Sequence, residues 1–434
     1  MRTPTGVVIF ISILLLLDTY VFQAIRSVSQ ALSPRARTIV YSIYWAITVL
    51  AIISFLLFVY TEQDFLGKKL RTYLFATVIG LFLAKITAGV FFLLDDIRRG
   101  IQWVVIKLFS NSRTGSVNDL GEEGISRSAF LNWLGLAAGT TLFGTLIYGY
   151  SNKYNYQIKR LQLSYDNLPE AFKGLKIVHI SDIHSGSFMD KKAVQHGVEK
   201  IMKERPDIIL FTGDLVNDRA IEMNDYKDVF NQLKAPMGVF STLGNHDYGD
   251  YILWPDDDDA HKEKERAAGK KLPTLLQLQN LEDLKKVHAG MGWRLLMNEH
   301  VALERNGQQI ALLGIENWSS KARFPKHGRM DLAHAGTEKY PFKILMSHDP
   351  SHWDAEVKTQ YPDVDLMLSG HTHGMQFGID IPGLKWSPVQ YMYKQWAGLY
   401  EDGKQKLNVN RGFGFIGYPG RVGVLPEISV ITLG

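Results

Sequence analysis

The chain has 434 residues, enough for two or three structural units, of which 46% are hydrophobic and 21% charged. It has no cysteine, which excludes disulfide scaffolds, Cys-ligated zinc, iron–sulfur clusters and thiol nucleophiles. The net charge of +4 is uneven: residues 1–150 carry 13 Lys+Arg against 8 Asp+Glu, and the rest carry 35 against 36. This basic excess flanks apolar runs and forms no stripe on a folded domain, which argues against nucleic acid as a partner.

Four apolar runs open the chain. Gly6–Ile25 has one charge (Asp18), Ile39–Tyr60 none, Thr72–Leu94 one (Lys85) and Ala129–Tyr150 none. About 20 helical residues cross an apolar layer of ~30 Å, so the bilayer is an expected partner and residues 1–150 read as a four-span transmembrane region. Asp18 and Lys85 make no relay and read as helix–helix contacts or snorkelling stems. Ile101–Phe109 is too short to span and reads as a separate interfacial segment with Trp103 and Lys107. Ser110–Gly124 reads as a mobile loop. No cleavable leader is expected, because a strong basic start and a small-residue cleavage site are missing.

The positive-inside count is 8 Lys/Arg on one side against 7 on the other, which leaves orientation open. Ser126-Arg127-Ser128-Ala129-Phe130-Leu131 resembles the Ser-Arg-Arg-x-Phe-Leu signature of twin-arginine export signals, with Ser128 in the place of the second Arg. That likeness implies a cytoplasmic Arg127 and a following domain outside a bacterial inner membrane.

After a linker and first strand over 151–174, residues 175–434 read as one α/β domain without internal repeats. Five β-rich runs each end in a polar cluster. Lys176–Ser181 leads to Asp182-Ile-His184, Asp207–Thr212 to Gly213-Asp214, and Val239–Leu243 to Gly244-Asn245-His246-Asp247. Phe342–Ser347 leads to His348-Asp349, and Val364–Ser369 to Gly370-His371-Thr-His373. Helix-length segments such as Lys191–Glu204 lie between them. Ligand sites of open α/β sheets lie beyond the carboxyl ends of the strands, so these residues are expected at one edge of one sheet. At a strand's end, Asp182 and His184 would leave the same face. The charged stretch Trp254–Leu272 lacks the Gly and terminal Glu of a calcium loop and reads as a solvated insertion.

Imidazole, carboxylate and amide oxygen together suit Mn, Fe, Zn, Co or Ni. Asp182, His184, Asp214, Asn245, His348, His371 and His373 are too many ligands for one catalytic ion. Shared between two divalent ions through one bridging carboxylate, they would activate a water for in-line displacement at phosphorus. Singly, each is an ordinary turn former, cap or hydrogen-bonded histidine; it is the set that carries the reading.

Asp-x-His, Gly-Asp, Gly-Asn-His-Asp, a single His and Gly-His-x-His, in this order, are similar to the calcineurin-like metallophosphoesterases. The end of the chain, Asn408-Val-Asn-Arg-Gly-Phe-Gly414 with Pro419, Arg421 and Pro426-Glu427-Ile428, looks like their membrane-associated bacterial branch. The resemblance implies a four-layer α/β/β/α sandwich behind the helical region. It implies one ion on Asp182, His184 and His373, a second on Asn245, His348 and His371, and Asp214 bridging. His246 would face the substrate as a catalytic acid, with Asp247 holding its imidazole. Arg411 and Arg421 would contact phosphate or form structural ion pairs, and Met375, where a Gly is common, would narrow the pocket. The implied substrate is a phosphomonoester, phosphodiester or pyrophosphate, lipid-linked or part of the cell envelope. Envelope phosphodiesterases and UDP-diacylglucosamine hydrolases both fit. The rival readings are a metal-binding receptor or scaffold without turnover, and a hydrolase regulating a transporter-like region; the four spans lack the broken helices the latter requires.

Overall fold

The computed structural model describes residues 4–61, 67–109, 127–268 and 272–434. Ser110–Gly124 and Ser126 lie outside them. The chain divides into two compact units, Met1–Tyr148 and Gly149–Gly434.

The first unit is built of α1 (Pro4–Val28), α2 (Pro34–Tyr60), α3 (Lys68–Phe109) and the body of α4 (Arg127–Gly149). All four are long and apolar enough to cross a membrane. α2 opens with Ser33 accepting the Ala36 N–H at 3.4 Å and with Pro34, whose missing N–H costs nothing in a first turn. Val8, Leu16, Leu50 and Leu94 are exposed on its outer surface, which water would penalise and lipid does not. Inside, Val21, Ala24, Tyr44, Ala88 and Phe92 pack together. Gly135 and Gly139, one turn apart on α4, bring it close to α3: a Cβ at Gly135 would lie 2.9 Å from the Ala88 carbonyl.

One expectation changes here. Ile101–Phe109 is not a separate segment but the continuation of α3, whose 42 residues run ~60 Å, well beyond one apolar layer. Lys107 there stacks on Trp103 at 4.8 Å. Asp18 and Lys85 make a helix–helix contact, as the sequence suggests: both are buried and form an ion pair that links α1 to α3. The Tyr44 hydroxyl of α2 donates to the Asp18 carbonyl at 2.8 Å and lies 3.1 Å from its carboxylate.

The second unit contains two six-stranded sheets. Strands β1 (Gln157–Leu163), β2 (Lys176–Ile180), β3 (Ile208–Phe211), β4 (Val239–Ser241) and β5 (Arg294–Leu295) belong to the first. The second holds β6 (Glu299–Arg305), β7 (Gln308–Gly314), β8 (Lys343–Met346) and β9 (Leu366–Ser369). A small hairpin, β10 (Ile379–Ile381) with β11 (Leu384–Trp386), precedes β12 (Gly398–Asp402), β13 (Gln405–Val409) and β14 (Glu427–Leu433). The strand orders are β1-β14-β2-β3-β4-β5 and β12-β13-β9-β8-β7-β6. Helices α5 (Lys191–Lys203), α6 (Lys227–Phe230), α7 (Asp259–Ala268) and α8 (Leu275–Gly290) lie in the β2–β5 crossovers.

Alternation along the strands makes the layers. Ile177, Ile208 and Leu210 of the first sheet pack against Leu312, Ile344, Met346, Leu366 and Leu368 of the second. Their neighbours Val178, Ile180, Ile209 and Phe211 face Val194, Val198 and Ile201 of α5 and Leu284 of α8. On the far side Leu313, Leu345 and Met367 pack on Met330, Trp353 and Val357. Each sheet thus buries both faces, as period-two side chains on near-continuous apolar strands require. The result is the four-layer α/β/β/α sandwich. The five polar clusters, however, are not delivered to one sheet: β2, β3 and β4 bring three of them, and β8 and β9 bring two from the facing sheet. The charged stretch is carried by α7, in which no residue is buried.

Candidate metal centre

The strands stop two to four residues before the first ligand side chain of each cluster, and the loops turn sharply. Asp182, His184, Asp214, His371 and His373 all have positive φ, between 48° and 68°. Non-glycine residues in this region cost energy and cluster where function fixes the backbone. Asp182 and His184 therefore converge through loop geometry, not through strand alternation. Gly244 and Gly370 permit the approach: a Cβ on the first would collide with the Asp214 carboxylate, and one on the second with the Asp182 carboxylate.

Two groups of facing ligand atoms result, Asp182 with His184 and His373, and Asp214 with His348 and His371. In the first, His373 Nε2 lies 3.1 Å from Asp182 Oδ1 and 3.0 Å from His184 Nε2. In the second, His348 Nε2 lies 3.1 Å from Asp214 Oδ2. The same Asp214 Oδ2 is 3.5 Å from His184 Nε2, so one carboxylate oxygen reaches both groups. Asn245 Oδ1 joins the second group, 2.7 Å from His371 Nδ1. The structure thus brings together all seven residues that the sequence singles out as ligands.

Outer partners orient these atoms. His348 Nδ1 donates to the Thr212 carbonyl at 2.7 Å, turning Nε2 inward. Asn245 Nδ2 donates to the Tyr251 hydroxyl at 2.8 Å, leaving its oxygen inward. Tyr393 donates to Asp349 Oδ2 at 3.1 Å and lies 2.9 Å from His371 Nε2, which leaves the His371 Nδ1 lone pair facing the Asn245 oxygen. Imidazole ligands held in this way have a fixed tautomer. Tyr251 and Tyr393 are absent from the sequence reading, and Asp349 appears there only as a cluster residue without a role. Asp349 sits beside His348 and could have been suspected; the tyrosines follow no local pattern.

Electrostatics fit cations. Asp182 and Asp214 are fully buried, and among the described residues neither pairs with Lys or Arg. Buried carboxylates are expected to be paired or to coordinate metal. Burial alone would raise both, but His373 and His348 hold Asp182 low, and His348 and His246 hold Asp214 low, so both are ionised. Burial keeps His184 well below its usual range and His371 down at about 4, both neutral as metal ligands must be. His348 is pushed up to about 10: burial opposes its charge, but the Asp214 carboxylate favours it more, and a cation there would replace that proton. The donor set, all nitrogen and oxygen, suits borderline divalent metals.

His246 stands at the rim. Its N–H donates to Asp214 Oδ1 at 2.8 Å, and its ring packs 5.0 Å from the His184 ring and 4.5 Å from that of Tyr251. Its Nδ1 donates to the Asn217 carbonyl at 2.7 Å, which leaves Nε2 for the pocket. Asp247 does not hold this imidazole. Its carboxylate accepts the backbone N–H groups of Asp214, Leu215 and Gly244 at 2.8–2.9 Å, fixing the loop that carries Asp214. Neither arginine of the closing segment reaches the pocket. Arg411 pairs with Glu427 and with Asp380. Arg421 is fully buried and donates to the carbonyls of His373, Arg411 and Gly414, tying the closing segment to the His373 loop. Met375 does line the pocket.

The comparisons with known proteins agree with this geometry. Residues 175–375 match the family of calcineurin-like phosphoesterases. Residues 1–153 match that of the transmembrane domain of probable calcineurin-like phosphoesterases. A "Transmembrane protein with metallophosphoesterase domain" of Danio rerio is 27% identical over 75% of this chain and 67% of its own length. The uncharacterised metallophosphoesterase YkuE of Bacillus subtilis (strain 168) is 29% identical over 71% of this chain and 98% of its own length. The phosphodiesterase YaeI of Escherichia coli (strain K12) is 25% identical over 71% of this chain and 99% of its own length. With its four apolar helices, its two-sheet domain and its two facing ligand groups, the chain belongs to the calcineurin-like metallophosphoesterases with a transmembrane domain, a family of metal-dependent hydrolases.

Proposed function

We propose that the protein hydrolyses a phosphate ester or pyrophosphate presented at the bilayer, with two divalent ions held by the seven ligands. One ion would be held by Asp182, His184 and His373, the other by Asn245, His348 and His371, and Asp214 would be shared. The observation that carries this reading is the reach of Asp214 Oδ2 to a histidine of each group. Such a pair of ions, when bound, supplies an activated water and neutralises charge developing on the phosphoryl oxygens. The chain's own residues do the rest. As an imidazolium anchored through its Nδ1–H and backbone N–H, His246 would give its Nε2 proton to the leaving oxygen and be left neutral. Asp247 keeps the Asp214 loop in place. A substrate at the membrane surface, a phospholipid or lipid-linked envelope precursor, is favoured by the tethering helices, and the name of the relative YaeI favours a diester.

Purified protein assayed with Mn, Fe, Zn, Co and Ni against mono-, di- and pyrophosphate esters tests the reading. Turnover that depends on added metal supports it; metal binding without turnover of any ester would favour the receptor alternative.

The export-like segment, of which Arg127–Leu131 lies in the described helix α4, supports a domain on the outer face of a bacterial inner membrane. The native chain has no Cys, so single cysteines report cleanly. An impermeant maleimide on cells with a permeabilised outer layer should label Lys264→Cys, on exposed α7, and spare Arg35→Cys. The reverse pattern would place the site in the cytoplasm.

A further inference from the structure

The ligand pocket itself is small, about 170 Å³, room for a phosphoryl group and little more. Beside it lies a larger cavity of about 550 Å³. Arg323 and Phe324 line both, so the two spaces adjoin at this pair of residues. The Phe324 ring stands edge-on to that of His371 at 4.6 Å, and the Arg323 guanidinium lies over Phe324 at 4.5 Å. Arg323 is exposed and, among the described residues, forms no ion pair, unlike Arg411. An unpaired guanidinium at the mouth of a metal pocket is a ready partner for an anionic phosphoryl oxygen.

The larger cavity has a different chemistry. Tyr248, Tyr251, Phe324 and Leu278 give it flat apolar and aromatic walls. Asp250 and Glu316 also line it, and their charges disfavour a second phosphate there. Both carboxylates are positioned by neighbours, Asp250 by Gln277 at 2.7 Å and Glu316 by Asn298 at 2.6 Å. Aromatic faces with fixed carboxylate acceptors match a ring whose hydroxyls donate. An acyl chain would offer those carboxylates no donor.

Resting on the dinuclear reading above, we infer that Arg323 binds the phosphoryl group of the substrate, and that the adjoining cavity takes a hydroxyl-bearing ring, a sugar or nucleoside, esterified to the same phosphorus. The preferred substrate is then a phosphodiester with such a ring on one side, not a monoester or a simple dialkyl ester.

Three p-nitrophenyl esters test this with full-length protein in the active metal: the monoester, the methyl diester and the thymidine diester. A glucose diester separates a glycosyl from a nucleoside group. A ring diester should exceed the methyl diester in kcat/KM by roughly tenfold or more, the scale of one well-stacked ring. Phe324→Ala and Leu278→Glu should shrink that ratio. Arg323→Gln should lower kcat/KM for every ester by roughly 10- to 100-fold, the scale of a charge-assisted hydrogen bond, with partial rescue in Arg323→Lys. Equilibrium dialysis with thymidine monophosphate and inorganic phosphate adds a readout free of turnover: Arg323→Gln should weaken both, Phe324→Ala the nucleotide selectively. Hydrolysis with a ratio near one, or a ratio untouched by Phe324→Ala, overturns the inference and leaves the hydrolase reading standing. Selective nucleotide binding lost in Phe324→Ala, without hydrolysis of any ester, would sustain the cavity and sink the hydrolase reading.

Discussion

Both units of this chain bury charge, but they neutralise it differently. In the helical unit, Asp18 and Lys85 form a pair, with Tyr44 meeting the same carboxylate oxygen. In the α/β unit, Asp182 and Asp214 are equally buried and face imidazoles and backbone N–H groups. The first arrangement balances its charge within the protein. The second has two negative charges, four imidazoles and an amide oxygen converging, with no Lys or Arg among the described residues to pair with the carboxylates, and it suits added cations. Buried charge matched by a side chain signals architecture, and buried charge left for something else signals a site.

The comparison can be sharpened by substitution. Outside the ligands themselves, the largest effect is expected at the rim. His246→Ala should retain full metal content and lose roughly 10²–10⁴ in rate, the usual worth of general acid help. The loss should diminish for aryl esters, which need little protonation; depleted metal in this variant would instead make His246 a ligand. Next comes the helical pair. Lys85→Met strands Asp18 in the apolar layer at a cost of roughly 2.5–3.5 kcal/mol, readable as a lower melting temperature in detergent. Adding Asp18→Asn should recover most of that loss. If the double variant is no more stable than the single one, the two residues do not compensate each other. A smaller effect is expected at Asp247. Asp247→Asn loses part of its acceptor capacity toward three buried N–H groups, about 1–3 kcal/mol of stability. Its rate should fall with loss of metal, because the Asp214 loop loosens. A normal metal content with an altered pH profile would return Asp247 to its expected role beside His246.

Much of the site was legible because the ligands follow short β-rich runs and carry metal-type chemistry at each end. The strand-end placement of Asp182, Asp214, Asn245, His348 and His371 needed only local pattern. Sheet membership did not follow, since β4 and β8 look alike in sequence and differ only in their partners across the fold. The role of Asp247 was also hidden: its carboxylate serves backbone groups, and those leave no mark on side-chain identity. Tyr393 could not be found because it meets His371 across 22 residues, and Tyr251, six residues past Asn245, belongs to no motif. In the helical unit the apolar runs were plain, but the pairing of Asp18 with Lys85 joins two helices distant in sequence. The continuity of α3 past Leu94 was missed because Asp95, Asp96, Arg98 and Arg99 end the apolar run without ending the helix. These residues form i,i+3 and i,i+4 pairs along its surface.

The central claim is that the buried carboxylates of the α/β unit are completed by two cations sharing Asp214. Metal content per chain, measured on purified wild-type and Asp214→Asn protein together with hydrolysis, tests it most directly. The account predicts about two divalent ions per wild-type chain, one or none in Asp214→Asn, and no detectable turnover in the variant. Full metal content with normal turnover in Asp214→Asn would contradict it.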